Sequence, residues 1–386
     1  MKFALPACLT LLTVVSLFAE KIELLSPPII SEETIYQKVV CTRPMREGKF
    51  NISAEDKDDK LLVHCYGHGG SGCTTSFGSV SRAIELFEQQ LGDRPKQPIR
   101  VIGCGIIGMT AAIELTLKGY EVTGIIAKEL YEIPSWKNAG YFALVSVQTD
   151  AEEQCNLNKI GMSTFLEYKK IYEGTHPYIT QECIKYMPVY CNEETVAGVE
   201  DLEQAGLIPE RESVTIDFGN GVTHPHFYKF MTYFMDTTRI MMQLRETVDR
   251  LGIPVEIQEV GAFDEVDESI IFNCTGLGAK QLNNDDKMVA VRGHLINLNE
   301  QAGLEHMNYM IYTKVKGDGE GEEYVYMFPK SLQVTQDNVQ GKVVNATLGG
   351  TFIRDTDLLT QEELDALDVV ELEKLYQRNL HFFWGQ

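Results

Sequence analysis

An α/β fold in two domains, one on a parallel sheet and one on an antiparallel sheet, is what this sequence predicts. Three observations carry the prediction. Residues 99–127 read as strand, glycine-rich turn, helix and strand. Four β-type runs, 289–298, 309–314, 324–328 and 342–348, follow one another with turns between them. The chain has 386 residues, 44% of them apolar, enough for two cores.

Each element has its own signal. Lys2, an apolar run over 3–18 and Ala19 before Glu20 make residues 1–20 an expected export signal. That places the protein outside the cell or in a periplasm, with a retained anchor as the alternative. Pro27 and Pro28 keep 22–36 irregular. Short strands are expected at 39–41 and 50–53, and a charged turn at 55–60. Residues 61–66 form a buried strand ending in Gly67-His68-Gly69-Gly70-Ser71-Gly72. Val80, Ile84, Phe87 and Leu91 then share one face at helical spacing. Two prolines mark 92–98 as a linker. Residues 100–102 are a strand, 109–118 a helix closed by a left-handed Gly119, and 121–127 the next strand. Periodicity predicts a helix over 228–251, strands at 255–260 and 269–273, and an acidic amphipathic helix over 361–379. No internal repeat is present.

The net charge of -22 argues against nucleic acid, whose binding needs a cationic surface. It equally disfavours an anionic membrane surface. The nine cysteines form no CxxC pair, so no metal site is expected. Cys104 and Cys274 sit at glycine-flanked strand ends and read as buried thiols. Cys183 and Cys191 are a possible disulfide in an exported chain.

The turn Gly103-Cys104-Gly105-Ile106-Ile107-Gly108 fits a GxGxxG loop in its strand–helix context, which makes the first domain Rossmann-like. Gly103 allows the tight turn, Gly105 close approach of a pyrophosphate, and Gly108 close helix–strand packing. The helix N-terminus at Ile106 and Ile107 offers free N–H groups to phosphate charge. About twenty residues on, an acid should bind the ribose. Lys128 holds that place, with Glu129 beside it, and Glu129 serves if the turn shifts by one. These features do not separate FAD from NAD.

Other segments do. Ile271-Phe272-Asn273-Cys274-Thr275-Gly276 resembles the NCTG strand end of the D-amino-acid oxidase family. Tyr326-Met327-Phe328-Pro329 and Thr347-Leu348-Gly349-Gly350 resemble its active-site tyrosine strand and the strand after it. Arg292-Gly293-His294 is similar to its G-R-G-Q turn, with the glutamine replaced. Arg43-Pro44-Met45-Arg46 and Tyr66-Gly67-His68-Gly69-Gly70-Ser71-Gly72 resemble segments that close the chain in that family. Here they precede the glycine-rich loop, so the order looks circularly permuted. The resemblance covers most of 38–355 and is thin between 150 and 220. It implies FAD, bound by a domain over 44–91, 99–150 and 220–280, with 92–98 as the joint. A substrate domain would take 151–219 and 281–386.

The resemblance also implies a reaction. A D-amino acid loses hydride from its α-carbon to the flavin, an imino acid forms and hydrolyses to a 2-oxo acid and ammonia, and oxygen returns as hydrogen peroxide. Arg43 matches the arginine that clamps the substrate carboxylate, a task suited to its planar fork. Arg46 reads as a surface arginine in a turn. Tyr326 matches a tyrosine that helps bind the carboxylate. The family's second tyrosine, four positions earlier, is Glu322 here. Tyr324 points to the same side of the strand as Tyr326 and is the candidate substitute. Gly70 matches the glycine whose carbonyl accepts the substrate amine. Gly69, Gly72, Thr74, Gly140, Thr275 and Gly276 are expected along the cofactor. His68 reads as a packed histidine and not as a base. The alternatives are a glycine or amine oxidase or a dehydrogenase of the same fold, or an FAD-binding protein without catalysis.

Overall fold

The computed structural model describes residues 20–143, 149–196, 198–299, 301, 307–316 and 322–386. Apart from Glu20, the export signal expected over 1–20 lies outside the described residues.

Two sheets organise the chain. The smaller has six strands, in the order Val255–Ile257, Val122–Ala127, Ile99–Ile102, Ile270–Asn273, Lys60–Tyr66 and Asn51–Lys57. The first five are parallel, and Asn51–Lys57 closes the edge antiparallel to Lys60–Tyr66. Side chains alternate across a pleated strand, so each buried strand feeds two cores. Leu61, Val63, Ile99, Val101, Ile125 and Phe272 face the core shared with the helices Gly72–Leu91 and Ile106–Leu117. Leu62, Ile102, Ile126 and Ile271 pack on the other side with Phe263, Val266 and Leu282. The expected helical face of Val80, Ile84, Phe87 and Leu91 is fully buried. Gly119 follows the loop helix with a φ of +79°.

The larger sheet has ten strands among the described residues. Its order is Lys21–Leu24, Glu212–Asp217, Thr223–Met235, Ile184–Cys191, Met310–Lys316, Glu322–Pro329, Ala346–Gly349, Met288–Leu298 and Ile35–Arg46, with Gly140–Tyr141 beside Thr223–Met235. Two of its pairings are parallel, Lys21–Leu24 with Glu212–Asp217 and Met310–Lys316 with Ile184–Cys191. One face presents Leu295, Tyr312, Tyr326 and Phe328 to the main core. The other presents Ile296, Leu298, Ile311, Val325, Met327 and Leu348 to Leu372, Leu375, Phe382 and Phe383 of the C-terminal helix Gln361–Trp384. That helix starts with a capping box between Thr360 and Glu363.

Several expectations need correction. The helix expected over 228–251 divides into the strand Thr223–Met235 and the helix Thr237–Arg250. Its first half is rich in aromatic and β-branched residues and finds pairing strands on both sides. Asp236 caps the helix by accepting the Arg239 N–H at 3.3 Å. The strand Thr223–Met235 pairs into the large sheet, while Val255–Ile257 and Ile270–Asn273 pair into the smaller one. Likewise Ala151–Tyr172, at the start of the 151–219 segment, packs tightly on Gly72–Leu91. Gly78 makes this possible, since a Cβ there would fall 2.1 Å from the Ile160 carbonyl oxygen. Two strands, Lys21–Leu24 and Ile35–Arg46, reach into the stretch read as irregular. The run at 342–348 is two strands, Asn338–Val343 and Ala346–Gly349. All eight described cysteines are unpaired. Cys183 and Cys191 bracket one extended strand. At about 3.3 Å per residue they stand roughly 25 Å apart, beyond any disulfide.

Candidate active site

A cavity of about 890 Å³ opens between the two sheets. Its nucleotide end is built by the glycine-rich loop. Gly103 turns at a φ of +110°, where a Cβ would fall 2.3 Å from the Cys274 carbonyl oxygen. A Cβ on Gly108 would fall 1.8 Å from the Gly103 carbonyl oxygen, so this glycine serves packing and does not line the cavity. Gly105 is the N-cap of Ile106–Leu117 and places no side chain over the helix end. The first N–H groups of a helix have no partners within it. Ile106 gives its N–H to Ser135 Oγ at 3.2 Å, and Ile107 lines the cavity beside it.

A second helix start faces the same space. Gly69, Gly70 and Gly72 line it, with Thr74 in the first turn of Gly72–Leu91. Gly69 adopts a φ of +56°. The N-cap Ser71 makes no capping bond, and its buried hydroxyl has no hydrogen-bond partner. Two helix N-termini whose N-cap residues make no side-chain capping bond therefore meet one chamber, an arrangement that favours a ligand with phosphates and a ring that gains negative charge. The lining therefore fits a flavin dinucleotide.

Lys128 and Glu129 both reach the cavity wall. Lys128 is exposed and pairs with Glu259 at 2.7 Å. Glu259, which the sequence reading did not single out, thus adds a second carboxylate beside Glu129. Thr275 and Gly276 close the wall below the strand Ile270–Asn273, with Thr275 Oγ1 bound to Asn273 Oδ1 at 2.7 Å. Gly276 turns at a φ of +57°, with Pro44 where a Cβ would point. Gly140 lines the cavity from the edge of the large sheet, paired with Met235.

The other end holds Arg43. Its strand, Ile35–Arg46, lies at the edge of the large sheet, and its guanidinium lies over the Phe352 ring at 4.3 Å. Nη1 donates to the Thr351 carbonyl at 3.0 Å, and Nη2 to the Tyr326 hydroxyl at 3.4 Å. Tyr326 is buried between Phe328 and Tyr312, whose rings lie nearly parallel to it. Burial raises its phenol pKa, and the nearby Arg43 opposes that. The phenol therefore keeps its proton and can donate it to a carboxylate. Tyr324 does face the same side as Tyr326, but it does not line the cavity. Its ring packs behind Tyr312 and Phe352.

Besides Tyr326, the tyrosines Tyr66, Tyr141 and Tyr312 line the cavity. Tyr312 is paired with Tyr326 across adjacent strands. A cross-strand phase match between two β-type runs was the only signal for it. Arg46 is no surface residue in a turn. It ends its strand half-buried, with Nε 2.7 Å from Asp285. The Arg292-Gly293-His294 segment lies inside the strand Met288–Leu298 and forms no turn. His68 is packed against Phe50 at 4.5 Å, and burial lowers its pKa to about 3, so it is neutral. Five buried thiols, Cys41, Cys65, Cys73, Cys104 and Cys274, also line the chamber. Among the described residues no group of three or more His, Cys, Asp or Glu could hold a metal ion, and no helix is long and apolar enough to cross a membrane.

Comparison with known proteins adds the following. The family model described as DAO, FAD dependent oxidoreductase, matches residues 99–383. A D-amino-acid oxidase of Streptomyces coelicolor is 24% identical over 245 residues, covering 63% of this chain and 70% of the relative. A D-amino-acid oxidase of Dictyostelium discoideum is 38% identical over 74 residues, 19% of this chain and 21% of the relative. Among solved structures, L-proline dehydrogenase from P. horikoshii matches with a TM-score of 0.42 and 15% identity, over 73% of this chain and 76% of that one.

Proposed function

Because this chain belongs to the DAO family of FAD-dependent oxidoreductases, we propose that it oxidises D-amino acids to imino acids. These hydrolyse to 2-oxo acids and ammonia, and oxygen is reduced to hydrogen peroxide. FAD is the cofactor. Bound in the chamber, it supplies the acceptor for a two-electron oxidation at the substrate α-carbon.

The observation that carries the proposal is Arg43. It is a planar cation in an aromatic-walled pocket, with Thr351 and Tyr326 holding one N–H on each terminal nitrogen. Its remaining N–H groups suit a carboxylate. The Tyr326 hydroxyl stands beside it as a second donor. Gly70 lines the same cavity, and its backbone carbonyl is the acceptor we assign to the substrate amine. The apolar rings around both exclude water and strengthen each contact.

We also infer that the chain order is a circular permutation within its family. Three facts support this. The family match starts at residue 99, just after the proline-marked joint. The strand Lys60–Tyr66 precedes the glycine-rich loop in the chain yet pairs with Ile270–Asn273 in the sheet. The helix that follows it faces the same chamber as the loop helix. On its charge and apolar pattern alone, we keep 1–20 as an export signal.

The experiment is an anaerobic titration of the FAD-loaded protein with mixed D-amino acids, with L-amino acids as control. Bleaching of the visible flavin band by the D set alone is expected, with peroxide on readmitting oxygen. Bleaching by the L set, or by neither, would refute the D-amino-acid reading. Reoxidation by a dye without peroxide would favour a dehydrogenase.

A further inference from the structure

The strand Met288–Leu298 shows one face to the chamber and the other to the C-terminal helix. Leu295 packs on the chamber side, and Ile296 and Leu298 pack on the helix side. By alternation Arg292 and His294 face the helix. Asp368 meets both there. Arg292 Nε and Nη2 donate to its two oxygens at 2.7 and 2.6 Å. His294 Nε2 lies 2.8 Å from Asp368 Oδ1. The other ring nitrogen lies 2.9 Å from Thr351 Oγ1, which also accepts the His294 backbone N–H at 2.7 Å.

Thr351 sits in a β-bulge. The pairing is Leu295 with Gly349 on one side of it and Arg292 with Ile353 on the other, so the Thr351 segment carries one extra residue. Gly350 makes the bend at a φ of +142°, where a Cβ would fall 1.8 Å from the Tyr324 carbonyl oxygen. A bulge leaves a residue outside the regular ladder. Here the Thr351 hydroxyl takes the backbone N–H of His294 that the ladder no longer serves. Its carbonyl is left to accept from Arg43 Nη1 at 3.0 Å, on the chamber side. The guanidinium lies flat across Gly293, where a Cβ would fall 2.4 Å from Nη1.

We propose that Asp368, His294 and Thr351 are positioning residues for Arg43, a hydrogen-bonded relay that runs from the C-terminal helix through the sheet and fixes the guanidinium for a substrate carboxylate. The proposal rests on Arg43 as the carboxylate anchor. His294 and Thr351 are buried, so the relay works where water does not compete. An arginine held in place before binding loses less side-chain freedom when the carboxylate arrives.

The test measures benzoate binding to the FAD-loaded full chain by calorimetry, which needs no turnover. Thr351→Val keeps the side-chain shape and removes the hydroxyl, and about tenfold weaker binding is expected from the loss of its hydrogen bonds. Thr351→Ser restores affinity to within about threefold, since the hydroxyl returns. KM for a D-amino acid that bleaches the wild-type flavin rises with the benzoate constant, while kcat stays within about twofold, as for lost uniform binding. Asp368→Asn changes no core volume and should weaken benzoate in the same direction, and it decides the matter if Thr351→Val loses its flavin. Arg43→Ala, which removes the anchor, is the reference for lost binding. Wild-type affinity in Thr351→Val and Asp368→Asn, with Arg43→Ala inactive in binding, overturns the relay and leaves the anchor. Wild-type affinity in Arg43→Ala overturns the anchor, and the relay with it.

Discussion

Replacing Gly349 by alanine should dislodge Tyr326 from its place beside Arg43. Gly349 stands directly opposite Tyr326 in the antiparallel pair of Glu322–Pro329 and Ala346–Gly349. The Tyr326 ring lies across the space a side chain would fill. A Cβ there would fall 2.0 Å from two ring carbons and 2.3 Å from the hydroxyl oxygen. Carbon atoms settle about 3.5–4.0 Å apart, so the ring must retreat by roughly 1.5 Å. Phe328 and Tyr312 stand against it at ring-centre distances of 4.9 and 6.4 Å, which leaves little room. The contact with Arg43 Nη2 is already 3.4 Å, at the limit of a hydrogen bond, and a retreat that carries the hydroxyl away from Arg43 breaks it. Overpacking of this kind costs about 1–3 kcal/mol of stability. Loss of a hydrogen bond to a charged group adds about 1.5–3 kcal/mol to the cost of carboxylate binding, which is roughly ten- to hundredfold in kcat/KM. Denaturant titration of the FAD-loaded chain reads the first quantity, and steady-state kinetics the second. The steric account makes a sharper demand in a double-mutant cycle. With Tyr326→Ala already present, Gly349→Ala should cost less than about 0.5 kcal/mol. An equal cost with and without the ring would refute the reasoning.

Two further outcomes follow from burial. Cys155 is exposed while the other described cysteines are buried, and burial raises the thiols of Cys73 and Cys104 to about 11 and that of Cys274 to about 12. Iodoacetamide at pH 8, read by peptide mass spectrometry, should therefore modify Cys155 well before these three, and fast labelling of Cys73 or Cys274 would contradict the packing. His68 has its pKa lowered by burial to about 3. An unfolded histidine titrates near 6.5, so between these values the unfolded chain holds the extra proton. Stability should fall as pH drops from about 6.5 to about 3, by at most about 1.4 kcal/mol per pH unit from this group, and level off below. His68→Asn should flatten that slope, and an unchanged slope would assign the loss to other groups.

What could be read in the sequence was what is local. The turn at 103–108 declares itself because its strand, glycines and helix follow one another directly in the chain, although Gly103 also answers the distant Cys274 carbonyl. The face of Val80, Ile84, Phe87 and Leu91 follows from spacing alone. The segment 228–251 misled because periodicity cannot see pairing strands. Its first half lies between Ile184–Cys191 and Glu212–Asp217, and that neighbourhood overrides local preference. Tyr324 as the substitute for the second tyrosine fails for a related reason, since it is Tyr312 that lines the cavity. Alternation along one strand gives direction, but depth in the pocket depends on the neighbouring strand and on Phe352. His294 showed itself in sequence as a departure from a familiar glutamine. Its meaning needed Asp368, 74 positions away, and a bulge that no spacing rule announces.

The placement of Lys60–Tyr66 between distant strands has a consequence for how the protein is made. His64 bonds to Asn273 across 209 positions of chain. The strand of Arg43 waits in the same way for Met288–Leu298. On a ribosome adding about 5–20 residues per second, the first 66 residues would spend roughly 10–40 s before residue 273 is joined. During that interval one side of Lys60–Tyr66 and the length of Ile35–Arg46 are open strand edges, the kind that pair with other chains. The walls of the chamber come from early and late synthesis, so the cofactor meets a finished site only near the end. Cofactor supply and protection from aggregation therefore bear on the same late moment in the life of each new chain.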